Sequence, residues 1–197
     1  MKLHLETISE AMVFIGKAVH DHLDSAFYLA GGTALSLLLG HRKSIDLDYF
    51  INKSIDTEQL KGQLVELFGA EQVKIMFQEK DTLWVNINGV KVSFISRLAA
   101  LLEPVLDQEN FRLAQLKDIT AMKLSAICSR DEYKDYFDLA CLASITDVRS
   151  WISLWQDLFP NSDPISWVVA LSAVEQIPVT PLDVQSDFVT IEPAQLF

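Results

Sequence analysis

Apolar residues recur along this chain with two different periods, and each change of period marks an element. Leu5, Ile8, Met12, Ile15 and Val19 fall at helical spacing and predict an opening amphipathic helix that ends near Leu23. Phe27 to Ala30 reads as a short buried strand, Gly31-Gly32 as a break, and Thr33 to Leu39 as a short helix stopped by Gly40. Ile45 to Ile51 is a second strand. Asp56, with Gln59 three residues on, caps a helix running through Phe68, and Val73 to Phe77 forms a further strand. Strict alternation follows: Leu83, Val85 and Ile87, then Asn88-Gly89, then Val90, Val92 and Phe94, which together predict a tight hairpin.

After a stretch around Pro104 with no clear period, the pattern turns helical. One helix is expected from Leu116 to Cys128, and Ser129-Arg-Asp-Glu132 has the form of a capping box opening a second helix that carries Lys134, Asp135 and Asp138. Val148 to Leu158 and Ile165 to Gln176 are further helices, the latter entered through Asp163-Pro164. Pro178 and Pro181 open a tail with no predicted element. Strands crowd the front and helices the back, so the class is α+β, with a core lobe over residues 1–110 and a helical lobe with an acidic tail over 111–197.

Composition narrows the functional classes. The chain has 197 residues, half of them hydrophobic, and few Gly or Pro, which suits a stable globule rather than a disordered chain. No apolar run is long enough to span a bilayer and the N-terminal residues lack the plan of a signal peptide, so a cytoplasmic protein without membrane partners is expected. Cys128 and Cys141 lack metal-ligand spacing and read as reduced structural thiols. The net charge of −11 argues against a general nucleic-acid coat. From Asp135 onward there is one basic residue against nine acidic ones, so any anion-binding patch belongs to the first two thirds. His20 and His22, two apart on a helix, cannot form a metal pair, and the four tryptophans are expected in the core, although Trp84 could flank a cleft.

The chemistry concentrates between Leu29 and Ile51. Asp46 and Asp48, two apart on a strand, project from one face, and their mutual repulsion calls for a compensating cation. Oxygen ligands of this kind suit Mg²⁺ shared with substrate phosphates. Gly31 and Gly32 let backbone amides approach an anion, Thr33 can cap the short helix whose N-terminus attracts phosphate, and His41, Arg42 and Lys43 add positive charge. Singly, each feature has an ordinary explanation: a turn, a cap, a solvated strand. Together, inside a strand apolar on both faces, they predict a nucleoside triphosphate site.

Gly31-Gly32-Thr33, a short apolar helix, then Gly40-His41-Arg42-Lys43-Ser44-Ile45-Asp46-Leu47-Asp48-Tyr49-Phe50 resembles the signature of the AbiEii toxin family of nucleotidyltransferases, within the polymerase-beta-like superfamily. A second block, with Lys123, Arg130 and Lys134-Asp135-Tyr136-Phe137-Asp138-Leu139, is similar to that family's helical motifs. The resemblance implies a mixed sheet with helices followed by a helical lobe. It also implies an enzyme that moves a nucleotidyl group from an NTP, with Mg²⁺, to an acceptor, in some members the 3′ end of tRNA. Such a protein would be the toxin of a toxin–antitoxin or abortive-infection system, with a cognate antitoxin. On this reading Asp46 and Asp48 hold metal and Lys123, which has no evident local partner, reaches a phosphate. Arg130 and Asp138 either bind nucleotide or form a helix-stabilising salt-bridge cluster. Where the superfamily carries a third carboxylate, the matching position is Ser93, so Asp135 is expected to serve as the base, or else the chain is a nucleotide-binding regulatory module with impaired transfer. A purely interaction-based role for the acidic surface would make both motif blocks accidental.

Overall fold

Seven strands form one mixed sheet in the computed structural model, which describes residues 2–195. They are β1 (Tyr28–Ala30), β2 (Asp46–Ile51), β3 (Val73–Glu79), β4 (Thr82–Ile87), β5 (Val90–Ser96), β6 (Leu106–Gln108) and β7 (Phe111–Leu113), in the order β3-β4-β5-β2-β1-β7-β6. The helices are α1 (Glu10–His22), α2 (Gly31–Leu39), α3 (Thr57–Phe68), α4 (Leu116–Ile127), α5 (Tyr133–Ala143), α6 (Trp151–Leu158) and α7 (Ile165–Ser172).

The alternation in β2 decides which face does what. Leu47, Tyr49 and Ile51 are buried in the core while Asp46, Asp48 and Phe50 are half-buried on the other face. Val85 and Val92 continue the buried face outward through β4 and β5. The Asn88-Gly89 turn has positive φ at both residues, 52° and 88°, as a two-residue hairpin loop requires, and it sets the β4–β5 register. Next door, β2 and β5 run parallel with Asp48 opposite Ser93, and β1 runs antiparallel to β2 with Ala30 opposite Asp48.

Several boundaries differ from the sequence expectation, each for a local reason. The opening helix is split: a 3₁₀ turn at Leu5–Thr7 precedes α1, because the Ser9 side chain accepts from the Met12 amide and restarts the helix there. Helix α2 begins at Gly31 rather than Thr33, with Ala30 as an N-cap that offers no side-chain oxygen. Thr33 is therefore inside the first turn and does not cap. The expected capping box at Ser129 does not form, since the Ser129 hydroxyl donates back to the Ala126 carbonyl and α5 starts only at Tyr133. The stretch after Pro104 holds the short β6–β7 hairpin, whose second strand pairs parallel with β1. The proline-bordered tail returns to the sheet side: Val184 bridges Arg42, the Lys43 amide donates to Asp183 at 2.8 Å, and the Gln185 amide donates to the His41 carbonyl at 2.9 Å.

Candidate active site

The β1–α2 junction sits directly against the Asp48 carboxylate. Gly31 adopts φ +69°, and a Cβ there would lie 3.2 Å from Asp48 Oδ2. With no side-chain cap on α2, its first-turn amides are left to an anionic guest, which the helix dipole also favours. Thr33 ties this turn to the carboxylate strand, since its hydroxyl donates to the Asp46 carbonyl and shares a 2.7 Å hydrogen bond with the Ser44 hydroxyl. Ser93, expected at the third-acid position, lies beside Asp48 on the neighbouring strand and donates to Asp48 Oδ1 at 2.6 Å. That bond fixes one oxygen of Asp48 and leaves Oδ2 on the Gly31 side.

A second constellation lies behind Gly32. Asp138, on α5, is fully buried with all four of its lone-pair positions engaged: Oδ1 accepts from His41 Nε2 (2.8 Å) and Arg42 Nε (2.7 Å), and Oδ2 from Arg42 Nη2 (2.9 Å) and Lys123 Nζ (2.7 Å). Lys123 also donates to Asp135 Oδ1 at 2.6 Å, and Arg130 donates to both Asp135 oxygens. Burial opposes ionisation of Asp138, yet Lys123 and Arg42 outweigh it and hold the carboxyl well below the usual range. For Asp135, burial is likewise overcome by Lys123 and Arg130. Burial works against the Lys123 charge, but Asp138 and Asp135 raise it above the usual lysine value. Lys123 thus has two carboxylate partners, both on the following helix, where a lysine lacking a partner was expected.

Two carboxylates face three cations here, because His41 is neutral. Its Nε2 donates to Asp138, its Nδ1 is buried without a hydrogen-bond partner, and burial lowers its pKa despite Asp138. Protonating Nδ1 would bury an unpaired N–H. The unfolded chain takes up this proton more readily than the folded one, so His41-linked stability is complete above the unfolded value and falls as pH drops from about 6.5. Between pH 7.5 and 5.5, urea unfolding should therefore show the wild type losing more stability than His41→Gln, which keeps a donor to Asp138. An equal loss in both proteins would contradict the assignment.

Arg130, whose side chain is 47% exposed, also lies 3.9 Å from Glu132 and within the field of Asp48. Arg42 is buried against Gly32, where a Cβ would lie 2.5 Å from Arg42 Nη2. Lys43, expected among the phosphate ligands, is turned to the surface and paired with Asp183 of the returning tail at 2.9 Å. The structure thus brings Gly31, Asp48 and Ser93 together, with Asp46 on the same strand face, Arg130 within the field of Asp48, and Gly32 and the buried Thr33 joining this group to the interior. Arg42, Lys123, Asp135 and Asp138 lie beneath the group, with Lys43 to the side. Trp84 takes the cleft-side place the sequence allowed it rather than a core one. Trp151, Trp155 and Trp167 are buried as expected, but Trp84 is 45% exposed on the carboxylate face.

Comparison with known proteins bears on this arrangement. A family profile described as nucleotidyl transferase AbiEii toxin, type IV TA system, matches residues 14–162. The uncharacterized protein aq_aa25 of Aquifex aeolicus (strain VF5) is 40% identical over 117 residues, 57% of this chain and 55% of that protein, so the match spans about half the length of this curated relative. Among solved structures, JHP933 from Helicobacter pylori is similar with a TM-score of 0.50 and 20% identity, over 86% of this chain and 94% of that one. MenT4, a nucleotidyltransferase toxin from Mycobacterium tuberculosis H37Rv, gives a TM-score of 0.50 and 16% identity over 91% of this chain and 68% of its own. At these identities the structural likenesses speak for the fold. The profile match takes in the whole sheet, the glycines before α2, both β2 carboxylates and the α4–α5 ion cluster, and on it the chain belongs to the AbiEii nucleotidyl transferase toxin family.

Proposed function

We propose that this chain transfers a nucleotidyl group from an NTP to a hydroxyl of an RNA acceptor, with tRNA 3′ ends as the first class to test, and does so with Mg²⁺ as the toxin of a cytoplasmic toxin–antitoxin pair. Among the described residues no helix is long and apolar enough to cross a membrane. The observation that carries the reading is the contact of Gly31 with Asp48. It places an uncapped helix N-terminus, suited to a triphosphate, against a strand carboxylate suited to a metal.

The donor set fits Mg²⁺. Asp46 and Asp48 supply oxygen only, from one strand face, and among the described residues no third His, Cys, Asp or Glu completes a metal-holding group. Substrate phosphates and water would fill the other positions, as this cation prefers. When bound, it would neutralise the charge that builds on the leaving pyrophosphate. The α2 amides and Arg130 hold the triphosphate, and Asp46 with Asp48, the latter oriented by Ser93, would hold the cation that neutralises the α-phosphate. The acceptor oxygen bonds to the α-phosphorus as the bond from that phosphorus to the pyrophosphate oxygen breaks. The acceptor proton passes to water, because Ser93 is no base and both Asp135 oxygens are claimed by Lys123 and Arg130. Lys123, Asp135, Asp138 and Arg42 act as positioning residues that aim Arg130 and the α2 turn.

Incubating the protein with each α-labelled NTP, MgCl₂ and total RNA should place label in the RNA with at least one NTP, and EDTA should abolish it. Label released only as free nucleotide, or no EDTA effect, would overturn the reading.

A further inference from the structure

The row of side chains that contains Asp48 does not stop at the site. The strand register carries it across the sheet as Asp48, Ser93, Trp84 and Phe77, all on the carboxylate face. A β-bulge between Ile75 and Phe77 brings this about: with Ile75 opposite Val85, an unbroken ladder would put Met76 opposite Trp84, and the extra residue puts Phe77 there. The two rings sit 4.9 Å apart, tilted by 42°, and Trp84 remains 45% exposed about two strand spacings, or roughly 10 Å, from Asp48. The neighbouring row on the same face runs Asp46, Lys91, Asn86, Lys74. Lys74 and Lys91 are exposed and, like Lys2 and Lys80, have no ion pair among the described residues; of these lysines they are the two on the carboxylate face.

From this we infer that the β3–β4–β5 face is the acceptor-docking surface, on which the terminal nucleobases of a single strand stack against Trp84 while Lys74 and Lys91 take the backbone phosphates. The inference rests on the nucleotidyl-transfer reading and extends it. Aromatic rings interleaved with unpaired cations are what single-stranded nucleic acid needs: a flat apolar face for each base and positive charge for each phosphate. The surface is continuous with the catalytic row. It also lies across Asp48 from α2, so acceptor and triphosphate enter from opposite sides, as an in-line displacement demands.

The test uses the full chain, a labelled single-stranded RNA oligonucleotide and its DNA counterpart in fluorescence anisotropy, and calorimetry with a non-hydrolysable NTP. Trp84→Ala should weaken oligonucleotide binding roughly tenfold or more, Trp84→Phe should restore most of it, and NTP affinity should stay unchanged. Lys74→Gln with Lys91→Gln should flatten the salt dependence by about 1.4 in log–log slope. Equal affinity of wild type and Trp84→Ala for both strands, or no binding of either strand by wild type, would overturn the proposal. Label transfer with an acceptor KM untouched by Trp84→Ala would sink the docking surface and leave the transfer reading standing. Oligonucleotide binding lost in Trp84→Ala, with no label transferred by wild type, would support the surface and sink the transfer reading.

Discussion

Asp48→Asn is expected to reduce nucleotidyl transfer by roughly a thousandfold or more, equivalent to about 4 kcal/mol of transition-state stabilisation. Asparagine keeps the shape of the side chain and still accepts the Ser93 hydrogen bond that now reaches Asp48 Oδ1 at 2.6 Å. What it removes is one of two like charges on a single strand face, and hence the charge that would recruit a divalent cation. The same substitution should leave thermal unfolding without metal unchanged or slightly improved, since the folded state no longer has to hold Asp46 and Asp48 side by side. Loss of activity with retained stability separates a catalytic carboxylate from a structural one. A variant that transfers at the wild-type rate in Mg²⁺ would remove Asp48 from the site, and one that loses both activity and stability would make its role structural.

Why Asp48 was readable in the sequence, while its neighbours were not, follows from the range of the interactions involved. Period-two alternation through Ile45 to Ile51 puts Asp46 and Asp48 on one face whatever the rest of the fold does, and Asn88-Gly89 fixes its hairpin locally. Asp135 and Asp138, three apart, share a helix face for the same reason. Which cations they meet is a tertiary matter. Asp138 finds Arg42 from 96 residues away, and Lys123 looks unpartnered until α5 folds back along α4. The β6–β7 hairpin escaped notice because three-residue strands carry too few positions to show a period. The bulge that turns Phe77 toward Trp84 leaves no mark in composition, so the sequence could offer Trp84 only as a core residue or one flanking a cleft, without its aromatic neighbour. Ser129 shows the opposite error, a local motif with the right spacing whose hydroxyl found the end of α4 a better acceptor.

The second large effect is on stability. Asp138→Asn should lower the free energy of unfolding by about 3–5 kcal/mol, because it deletes the negative charge shared by two buried cations without removing either. Arg42 and Lys123 are both nearly inaccessible, with side chains 5% exposed, and cannot reach water once the carboxylate is gone. Lys123 retains the charged Asp135 as a partner, whereas Arg42 keeps only neutral acceptors, the asparagine oxygen and the Lys43 carbonyl at 3.0 Å, so Arg42 carries most of the penalty. A cycle with Arg42→Met separates the two: if the cost is an orphaned guanidinium, Arg42→Met combined with Asp138→Leu should be several-fold less damaging than the sum of the single changes. Arg42 also packs on Gly32 at the start of α2, so the folded fraction of Asp138→Asn should bind NTP more weakly through a displaced helix turn even though Asp138 touches no phosphate. Urea unfolding gives the first quantity and calorimetry on the folded protein the second. Near-wild-type stability with sharply reduced NTP affinity would instead place Asp138 in direct contact with the nucleotide, and strict additivity in the cycle would show that its bonds to Arg42 contribute nothing jointly.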